Sequence, residues 1–381
     1  MPDAQRPPAS LETPALLLDE ARMDRNIARM SSRLATLGVA FRPHVKTSKC
    51  IEVARRMMRS AEGPITVSTL HEAEYFAGFG VRDMLYAVAI APNKLAHVAA
   101  LLAKGVRITI ILDSLEAARQ VADFARKAGV RFAAMIEIDC DGHRSGLAPA
   151  AAALVPLGAF MHESGIALAG VMTHAGSSYN CAGTTAITAM AEQERLAVVT
   201  AAARLRAAGL PCPVVSVGST PTALFAASLE GVTEVRAGVF VFFDLVMAGL
   251  GVCSTDDIAL SVLTSVIGHQ REKGWTIVDA GWMAMSRDRG TASQPLDQGY
   301  GLVCDAAGHV LEDYIVAQAN QEHGIIAHRS GDPARVLDMA VGTQLRILPN
   351  HACATGAQYP HYALIGANGG ISATWARSNG W

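Results

Sequence analysis

The amino-acid sequence predicts an α/β protein, a (β/α)8 barrel followed by a C-terminal, mainly β second domain. Two observations predict this fold. From about residue 36 to residue 245, short β-rich runs alternate with longer segments of helical period. After about residue 250, the pattern changes to short alternating runs separated by turns. Eight parallel strands with helices between them close most economically into a barrel, although a doubly wound open sheet would show the same alternation.

The barrel elements can be placed along the chain by these patterns. Eight runs are predicted as strands: 39–41, 65–68, 84–88, 106–112, 130–138, 167–173, 214–217 and 234–239. Five helices are predicted between them: 71–79, 95–104, 115–128, 150–163 and 185–208. In a barrel, the residues that follow each strand gather at one mouth, so polar residues at these points are expected to converge on a site.

The second domain is predicted from short strands in the last third of the chain, at 275–279, 301–304, 314–317 and 344–348. A chain of 381 residues exceeds what a single core usually supports, which also favours two domains. We therefore expect a barrel over residues 20–250 and a β domain over residues 251–381, to which residues 1–19 are joined.

Composition limits the class of protein. Apolar residues make up 51% of the chain and charged residues 17%, which favours a large buried interior and a subunit interface. The net charge of -2 gives no general attraction to nucleic acid or to an acidic membrane surface, so a small-molecule partner is expected. Residues 1–10 lack the features of a secretory signal, which predicts a cytoplasmic protein.

Two further patterns exclude other classes. The longest apolar stretch, 238–252, is interrupted by Asp244 and is shorter than the roughly 20 residues that span a bilayer, so no membrane segment is predicted. The seven cysteines are scattered without a CxxC pair, which argues against a disulfide framework or a four-cysteine zinc site.

The segment after the first predicted strand, 42–49, contains Lys46. A lysine at a barrel mouth can be partly desolvated, which lowers its pKa and allows its amine to form a Schiff base. The alternative is an ordinary solvated loop lysine.

The segments after the fifth and sixth strands offer a cation and two rings. Arg144 could face an anionic ligand oxygen, or it could form a salt bridge with Asp139 or Asp141. His174 and Tyr179 place an imidazole and a phenol at the same mouth, and His174 could stack on a flat ring or serve a structural role.

The segments after the seventh and eighth strands suggest a phosphate site. Residues 218–221 supply hydroxyls and backbone amides at the start of the next helix, where Pro221 would suit the first helical position. In the segment 236–239, Gly238 would let the backbone approach a ligand closely. Two adjacent strand ends of this kind match the usual phosphate site of such barrels.

A possible metal site lies far downstream. His351 and Cys353 are two residues apart, so on an extended chain both side chains would point to the same side. Two protein ligands would leave positions open for water or substrate, as in catalytic zinc sites. The alternative is coincidence, because so short a pattern often occurs by chance.

Four of these segments, 42–47, 218–222, 236–238 and 349–353, resemble the D-serine dehydratase and D-threonine aldolase family, and the similarity spans nearly the whole chain. The resemblance implies an alanine-racemase-like barrel, a C-terminal β domain, and a head-to-tail homodimer with active sites near the interface. The family commonly has tyrosine where this chain has Phe240 or Phe243, so a hydroxyl role there is absent.

The resemblance also implies two cofactors, pyridoxal 5'-phosphate and a divalent metal, and assigns residues to each. Lys46 would hold the pyridoxal phosphate, with His174 and Tyr179 beside its ring. Arg144 would face the phenolic oxygen of that ring, and Arg236 its pyridine nitrogen. The phosphate would be cradled by five residues: Gly218, Ser219, Thr220, Gly238 and Val239. The metal, which could be zinc, manganese, cobalt or nickel, would bind His351 and Cys353.

The activity implied is removal of water from a D-3-hydroxy amino acid, with general similarity favouring 3-hydroxyaspartate as substrate and oxaloacetate and ammonia as products. The alternatives are a D-serine dehydratase that forms pyruvate and a D-threonine aldolase, since a metal on the β-hydroxyl would serve either reaction. A racemase is less favoured because the metal would have no task. A non-catalytic pyridoxal-phosphate carrier is disfavoured because such carriers lack a second domain.

Overall fold

A computed structural model describes residues 10–381, and the chain divides into two compact units. One unit contains residues 29–238 with the terminal Gly380 and Trp381, and the other contains residues 10–28 together with residues 239–379. The division falls earlier in the chain than residue 250, where the sequence pattern changes. No helix among the described residues has both the length and the apolar character needed to cross a bilayer.

The described residues form seventeen strands. In chain order they are β1 (Ala15–Asp19), β2 (Ala40–Phe41), β3 (Ile65–Val67), β4 (Asp83–Ala89), β5 (Arg107–Leu112), β6 (Ala133–Ile138), β7 (Ala167–Thr173), β8 (Val214–Val217), β9 (Glu234–Val235), β10 (Leu260–Gln270), β11 (Trp275–Val278), β12 (Leu302–Cys304), β13 (Val310–Ala319), β14 (Gly324–His328), β15 (Gln344–Leu348), β16 (His361–Ile365) and β17 (Ile371–Ala376).

The same residues form eleven α-helices. They are α1 (Glu20–Thr36), α2 (Ile51–Met57), α3 (Leu70–Gly78), α4 (Leu95–Ala103), α5 (Leu115–Ala128), α6 (Leu154–Glu163), α7 (Thr184–Ala207), α8 (Thr220–Phe225), α9 (Leu245–Gly249), α10 (Trp282–Met285) and α11 (Ala352–Gly356).

Strands β2 to β9 form a parallel barrel. They are hydrogen-bonded in the order β2-β9-β8-β7-β6-β5-β4-β3. The ring is closed beyond the end of β2, where the Val45 amide donates to the Thr66 carbonyl at 2.9 Å and the Thr66 amide donates to the Pro43 carbonyl at 2.8 Å. Because an open sheet has two unpaired edges, this closure confirms the barrel and shows that the doubly wound alternative was wrong.

The predicted barrel elements are all present, and the ends of some of them are shifted. Strands β2 to β9 correspond to the eight predicted runs, and α3 to α7 to the five predicted helices. The last strand, β9, is only Glu234–Val235, shorter than the predicted 234–239. Beyond Val235 the chain is no longer part of the strand, and Gly238 passes close to the backbone of the loop that contains His44. Helix α5 shows how local sequence sets the boundaries, since Ser114 caps its start and Gly129, at φ 66°, ends it.

The second unit is built on a nine-stranded sheet in the order β11-β14-β13-β12-β15-β10-β1-β16-β17, which confirms the prediction of a mainly β domain. Strand β1 lies inside this sheet, antiparallel to β10 and parallel to β16. The alternating side chains of these strands build a core cluster of Leu17, Leu263, Ala363 and Ile365. Residues 1–9, which the sequence analysis also assigned to this domain, lie outside the described residues.

Candidate active site

Several residues predicted at the barrel mouth lie near one another. The positive charges of Lys46, Arg144 and Arg236 all act to lower the pKa of His174, which requires the four groups to share one neighbourhood. Lys46 follows β2, Arg144 follows β6, His174 follows β7 and Arg236 follows β9. The β/α alternation alone predicts this convergence, because the carboxyl ends of all the strands face the same mouth.

Lys46 lies in the turn of residues 45–48 that follows β2. Its backbone amide donates to Nδ1 of His44 at 3.4 Å. Burial and then the charge of Lys46 hold the pKa of His44 well below its usual value, so His44 is a neutral acceptor. The turn lies beyond the end of the strand, and the Lys46 side chain is exposed there.

His174 and Tyr179 lie together after β7. Because a carbonyl can only accept, Nδ1–H of His174 donates to the Gly218 carbonyl, which fixes the tautomer. Burial, and then the charge of Lys46, lower the pKa of His174 to about 3, so the imidazole is neutral at physiological pH. The Tyr179 ring lies 6.2 Å from the His174 ring, centroid to centroid, at 43°. A neutral flat ring with a fixed orientation suits contact with an aromatic ligand.

The predicted phosphate segments directly follow two neighbouring strands, β8 and β9. Ser219 caps α8, and its hydroxyl accepts from the Thr222 amide at 3.2 Å. Helix α8 begins at Thr220, so Pro221 is its second residue. The prediction that Pro221 would be the first residue was wrong. A Cβ atom on Gly218 would lie 2.2 Å from the Arg236 carbonyl oxygen, so only glycine fits there.

The remaining two predicted phosphate residues fall on either side of the unit boundary. Gly238 ends the barrel unit, and a Cβ there would lie 2.8 Å from the His44 carbonyl oxygen. Val239 is the first residue of the other unit and starts the short 3-10 helix Val239–Val241.

Arg236 is buried, with 4% of its surface exposed. Its Nη2 donates to the Thr173 carbonyl at 2.5 Å, and its Nη1 donates to the Ser216 hydroxyl. Burial lowers the pKa of Arg236, and the nearby carboxylates of Glu234, Glu194 and Glu137 oppose that shift. Hydrogen bonds to two strands therefore fix this cation in place.

Arg144 is exposed in the loop after β6. The alternative that pairs it with Asp139 or Asp141 was wrong: neither ion pair occurs among residues 10–381. Asp139 instead accepts from the Asp141 and Gly142 amides, at 3.1 and 2.7 Å. Asp141 accepts from the His143 and Ser177 amides, at 3.2 and 2.8 Å. Both carboxylates thus shape the loop and leave the Arg144 guanidinium for another anion.

The sequence analysis did not single out Glu194, a buried residue of α7. Its Oε1 accepts from the amides of Ala175 and Gly218, each at 3.0 Å. Its Oε2 accepts from the Thr222 hydroxyl at 2.7 Å. One carboxylate therefore contacts the loops that follow β7 and β8.

The second unit brings His351 and Cys353 together. His351 precedes α11 and Cys353 lies in its first turn, and the two side chains are hydrogen-bonded. The prediction that an extended chain would align them was wrong in its geometry, because the chain turns into a helix at Ala352. The pair of donors is nevertheless adjacent.

Asp288, also missed from the sequence, holds the imidazole of His351. The Oδ2 atom of Asp288 lies 2.6 Å from Nδ1 of His351. Although burial opposes it, this hydrogen bond and the one to Cys353 raise the pKa of His351 to about 11. A metal ion would therefore have to displace a proton to bind this nitrogen ligand.

Buried polar contacts fix the segments that carry this pair. The Asn350 side-chain amide donates to the Gly299 carbonyl at 2.7 Å and to the Asp288 carbonyl at 3.2 Å. The buried Asp244 carboxylate accepts from the Ala352 and Met247 amides, both at 3.0 Å. The start of α11 is thus anchored on both sides of His351.

The donor chemistry of this pair suits a divalent metal. An imidazole and a thiolate are ligands for zinc and related ions, and a carboxylate on the second imidazole nitrogen is the usual orienting partner of a metal-bound histidine. Within residues 10–381, no group of three or more His, Cys, Asp and Glu side chains is placed to hold a metal. A metal at His351 and Cys353 would therefore complete its coordination with water or substrate.

Both halves of the chain match a known family model. Residues 18–246 match the model described as alanine racemase, N-terminal domain. Residues 259–365 match the model described as putative serine dehydratase domain.

Comparison with individual proteins finds relatives over the full length. The chain is 55% identical to D-threo-3-hydroxyaspartate dehydratase of Delftia sp. (strain HT23), over 98% of each chain. It is 30% identical to D-serine dehydratase of Dictyostelium discoideum, over 98% of each chain. A solved structure of the Delftia enzyme has a TM-score of 0.95 at 55% identity, covering 99% of this chain and 100% of that chain. A metal-free C353A mutant of D-threo-3-hydroxyaspartate dehydratase has also been solved, with the same TM-score, identity and coverage.

Proposed function

Because the chain belongs to the alanine-racemase-like family of D-threo-3-hydroxyaspartate and D-serine dehydratases, we propose that it is a pyridoxal-phosphate- and divalent-metal-dependent dehydratase. Its substrate is a D-3-hydroxy amino acid, 3-hydroxyaspartate, and its products are oxaloacetate and ammonia. The observation that carries this proposal is the similarity to D-threo-3-hydroxyaspartate dehydratase over almost the whole of both chains.

The barrel mouth has the chemistry that pyridoxal phosphate needs. When bound, this cofactor supplies an electron-withdrawing ring that delocalises negative charge from the substrate Cα. Lys46 Nζ is the amine that would bind the cofactor aldehyde, and it is also the base that would take the Cα proton. The exposure of Lys46 is consistent with both tasks, because the amine must reach a ligand that enters from the mouth.

The other mouth residues would bind and orient the cofactor. The neutral imidazole of His174 would lie against its ring, and Tyr179 would support that imidazole from the side. Gly218 and Gly238, where a Cβ atom would clash with neighbouring backbone, would let the chain approach the phosphate, and Ser219, Thr220 and Val239 would complete the cradle. Arg144 would face the phenolic oxygen, and the fixed cation of Arg236 the pyridine nitrogen.

The metal would bind His351 and Cys353 and act on the leaving group. Hydroxide leaves a carbon poorly, and a divalent cation supplies the Lewis acid that makes its departure possible. Asp288 would hold the His351 imidazole in its binding orientation. The metal-free C353A relative supports this assignment, because this chain also has cysteine at its own position 353. Zinc, manganese, cobalt and nickel all suit such ligands.

We propose that the enzyme is a homodimer, as the family resemblance implies. The large apolar fraction of the chain and exposed hydrophobic side chains, such as Phe79 and Leu196, are consistent with a subunit interface.

Product analysis tests the proposed function. The purified protein is incubated with D-serine, D-threonine and both diastereomers of D-3-hydroxyaspartate, with and without a chelator. We expect absorbance of a lysine-bound pyridoxal cofactor, and oxaloacetate with ammonia from a 3-hydroxyaspartate diastereomer. This activity should disappear with chelator and return with added divalent metal.

Other products would identify the alternatives. Glycine with an aldehyde would establish an aldolase, and pyruvate from D-serine without turnover of 3-hydroxyaspartate would establish a D-serine dehydratase. A protein that takes up no pyridoxal phosphate, or whose turnover ignores the chelator, would contradict the proposal.

A further inference from the structure

We propose that Glu194 is a positioning residue that makes this barrel selective for the phosphorylated form of its cofactor. A single buried carboxylate sets the loop after β7, which carries His174, and the loop after β8, which starts at Gly218. The inference rests on the proposed function, because it assigns the ligand of those loops to be pyridoxal phosphate.

The first argument is that one oxygen atom joins the two loops. The amides of Ala175 and Gly218 both donate to Oε1 of Glu194 at 3.0 Å. Ala175 is adjacent to His174, whose Nδ1–H donates to the carbonyl of the same Gly218. The loops cannot separate without leaving a buried amide unsatisfied, so the imidazole and the phosphate segment are held in a fixed relation.

The second argument concerns the hydroxyl hydrogens. As a carboxylate, Glu194 can only accept, so the Thr222 hydroxyl must donate its hydrogen to Oε2 at 2.7 Å. That contact is much shorter than the 3.5 Å between this hydroxyl and the Ser219 carbonyl. The Thr222 oxygen is then the acceptor for the Ser219 hydroxyl, 2.8 Å away.

The chain of hydroxyls continues by one more residue. With its hydrogen directed to Thr222, the Ser219 oxygen accepts from the Thr222 amide at 3.2 Å and from the Ser178 hydroxyl at 3.0 Å. Glu194 thus orders three hydroxyl groups in one direction, from Ser178 through Ser219 to Thr222. The Ser219 side chain, at the start of the phosphate segment, is held in a single orientation.

The third argument is the position of Glu194 on its helix. It lies on the buried face of α7 with Ile187, Ala191 and Val198, where every other position of this face is apolar. A carboxylate in such a place is costly unless it is fully hydrogen-bonded. Since an apolar residue would pack there without this cost, the hydrogen bonds to Ala175, Gly218 and Thr222 indicate a role in the site.

The test compares pyridoxal phosphate with pyridoxal, which has no phosphate. Apoprotein is titrated with each ligand, and the dissociation constants of wild type, Glu194→Gln and Glu192→Gln are measured. In Glu194→Gln, the amide oxygen can still accept from both backbone amides, but the amide nitrogen must donate to Thr222, which reverses the hydroxyl chain. Glu192 is the control, because it is on the same helix but 46% exposed and paired with Arg195.

We expect Glu194→Gln to weaken pyridoxal phosphate binding about tenfold and pyridoxal binding less than about twofold, since a charge-assisted hydrogen bond behind the phosphate segment is lost. Glu192→Gln should match wild type with both ligands. Thr222→Val removes the same hydroxyl link without altering Glu194 and should give the same selective loss. Thermal unfolding of each apoprotein verifies that it is folded. Should Glu194→Gln be unfolded, the result for Thr222→Val tests the inference in its place.

Three outcomes would overturn the inference. Unchanged dissociation constants for both ligands in folded Glu194→Gln would show that Glu194 has no effect on cofactor binding. Equal weakening of both ligands would reduce its role to general stability. A wild-type protein that binds neither ligand would reject the proposed function together with the inference, whereas the first two outcomes leave the proposed function intact.

Discussion

The barrel mouth and the His351–Cys353 pair differ in how their functional groups are held. At the mouth, Gly218 is hydrogen-bonded to both His174 and Glu194, and Arg236 to both β7 and β8. In the second unit, two donors lie in one helical turn, and 41% of the His351 side chain is exposed. A site with overlapping supports should lose function gradually when one contact is removed, whereas a site with two ligands should lose it when either is removed.

Lys46 is a mouth residue for which we do not expect a gradual loss of function. Its removal should have the largest effect of all. Lys46→Ala removes the only amine assigned to both cofactor attachment and proton removal, so we expect kcat/KM to fall about 10,000-fold, at the upper end of the range for a catalytic base. Loss of the absorbance of the lysine-bound cofactor should accompany it. The exposed Lys104, changed to Ala, is the control. Retention of either signal in Lys46→Ala would contradict the assignment.

His351→Ala tests the two-ligand site. With one ligand left, the metal should be lost, and we expect activity to fall about 100- to 1000-fold because the Lewis acid is gone. Metal content by elemental analysis should fall with it, while the cofactor absorbance remains. The exposed His323, changed to Ala, should keep both metal and activity. Full metal content in His351→Ala would exclude it as a ligand.

Asp288→Asn sharpens the same comparison at the carboxylate that holds the His351 imidazole. The amide keeps the size of the side chain but loses the charged acceptor for the imidazole, so metal affinity should fall about 10- to 100-fold. Activity should return with excess metal, which separates this variant from His351→Ala. Asp338→Asn, at an exposed ion pair with Arg271, serves as the control. If Asp288→Asn bound metal with the affinity of the wild type, the proposed role of Asp288 in orienting His351 would be contradicted.

Tyr179→Phe should have the smallest effect. The ring pair with His174 is retained in this variant, so kcat/KM should change less than about twofold, below the roughly 0.5–1.5 kcal/mol typical of a whole aromatic pair. A decrease near that of His351→Ala would instead assign the hydroxyl a direct part in the reaction.

Positions at the barrel mouth follow from the sequence by a rule that contacts around His351 and Cys353 do not have. Alternation of strands and helices determines where every strand ends, so the positions of Lys46, His174 and Gly218 followed from the pattern. Contacts between distant segments have no such rule. Asp288 meets His351 across 63 positions, and nothing in its turn predicts that approach.

Glu194 was missed although the sequence does contain a signal. Its spacing from Ile187, Ala191 and Val198 puts a carboxylate on the apolar face of the predicted helix, which is unusual for a charged residue. The sequence could therefore have identified it as a buried acid. The partners of that acid depend on how the helix packs over the loops after β7 and β8, which periodicity does not specify.

The position of β1 has a consequence for synthesis on the ribosome. This strand emerges early, yet its neighbours β10 and β16 begin only at residues 260 and 361. All the barrel strands emerge before either neighbour exists, so the barrel can fold while β1 waits without a partner. In a nascent chain stalled near residue 250, the barrel would thus be folded while β1 still lacks its neighbouring strands. Dependence on chaperones should be greatest at this stage.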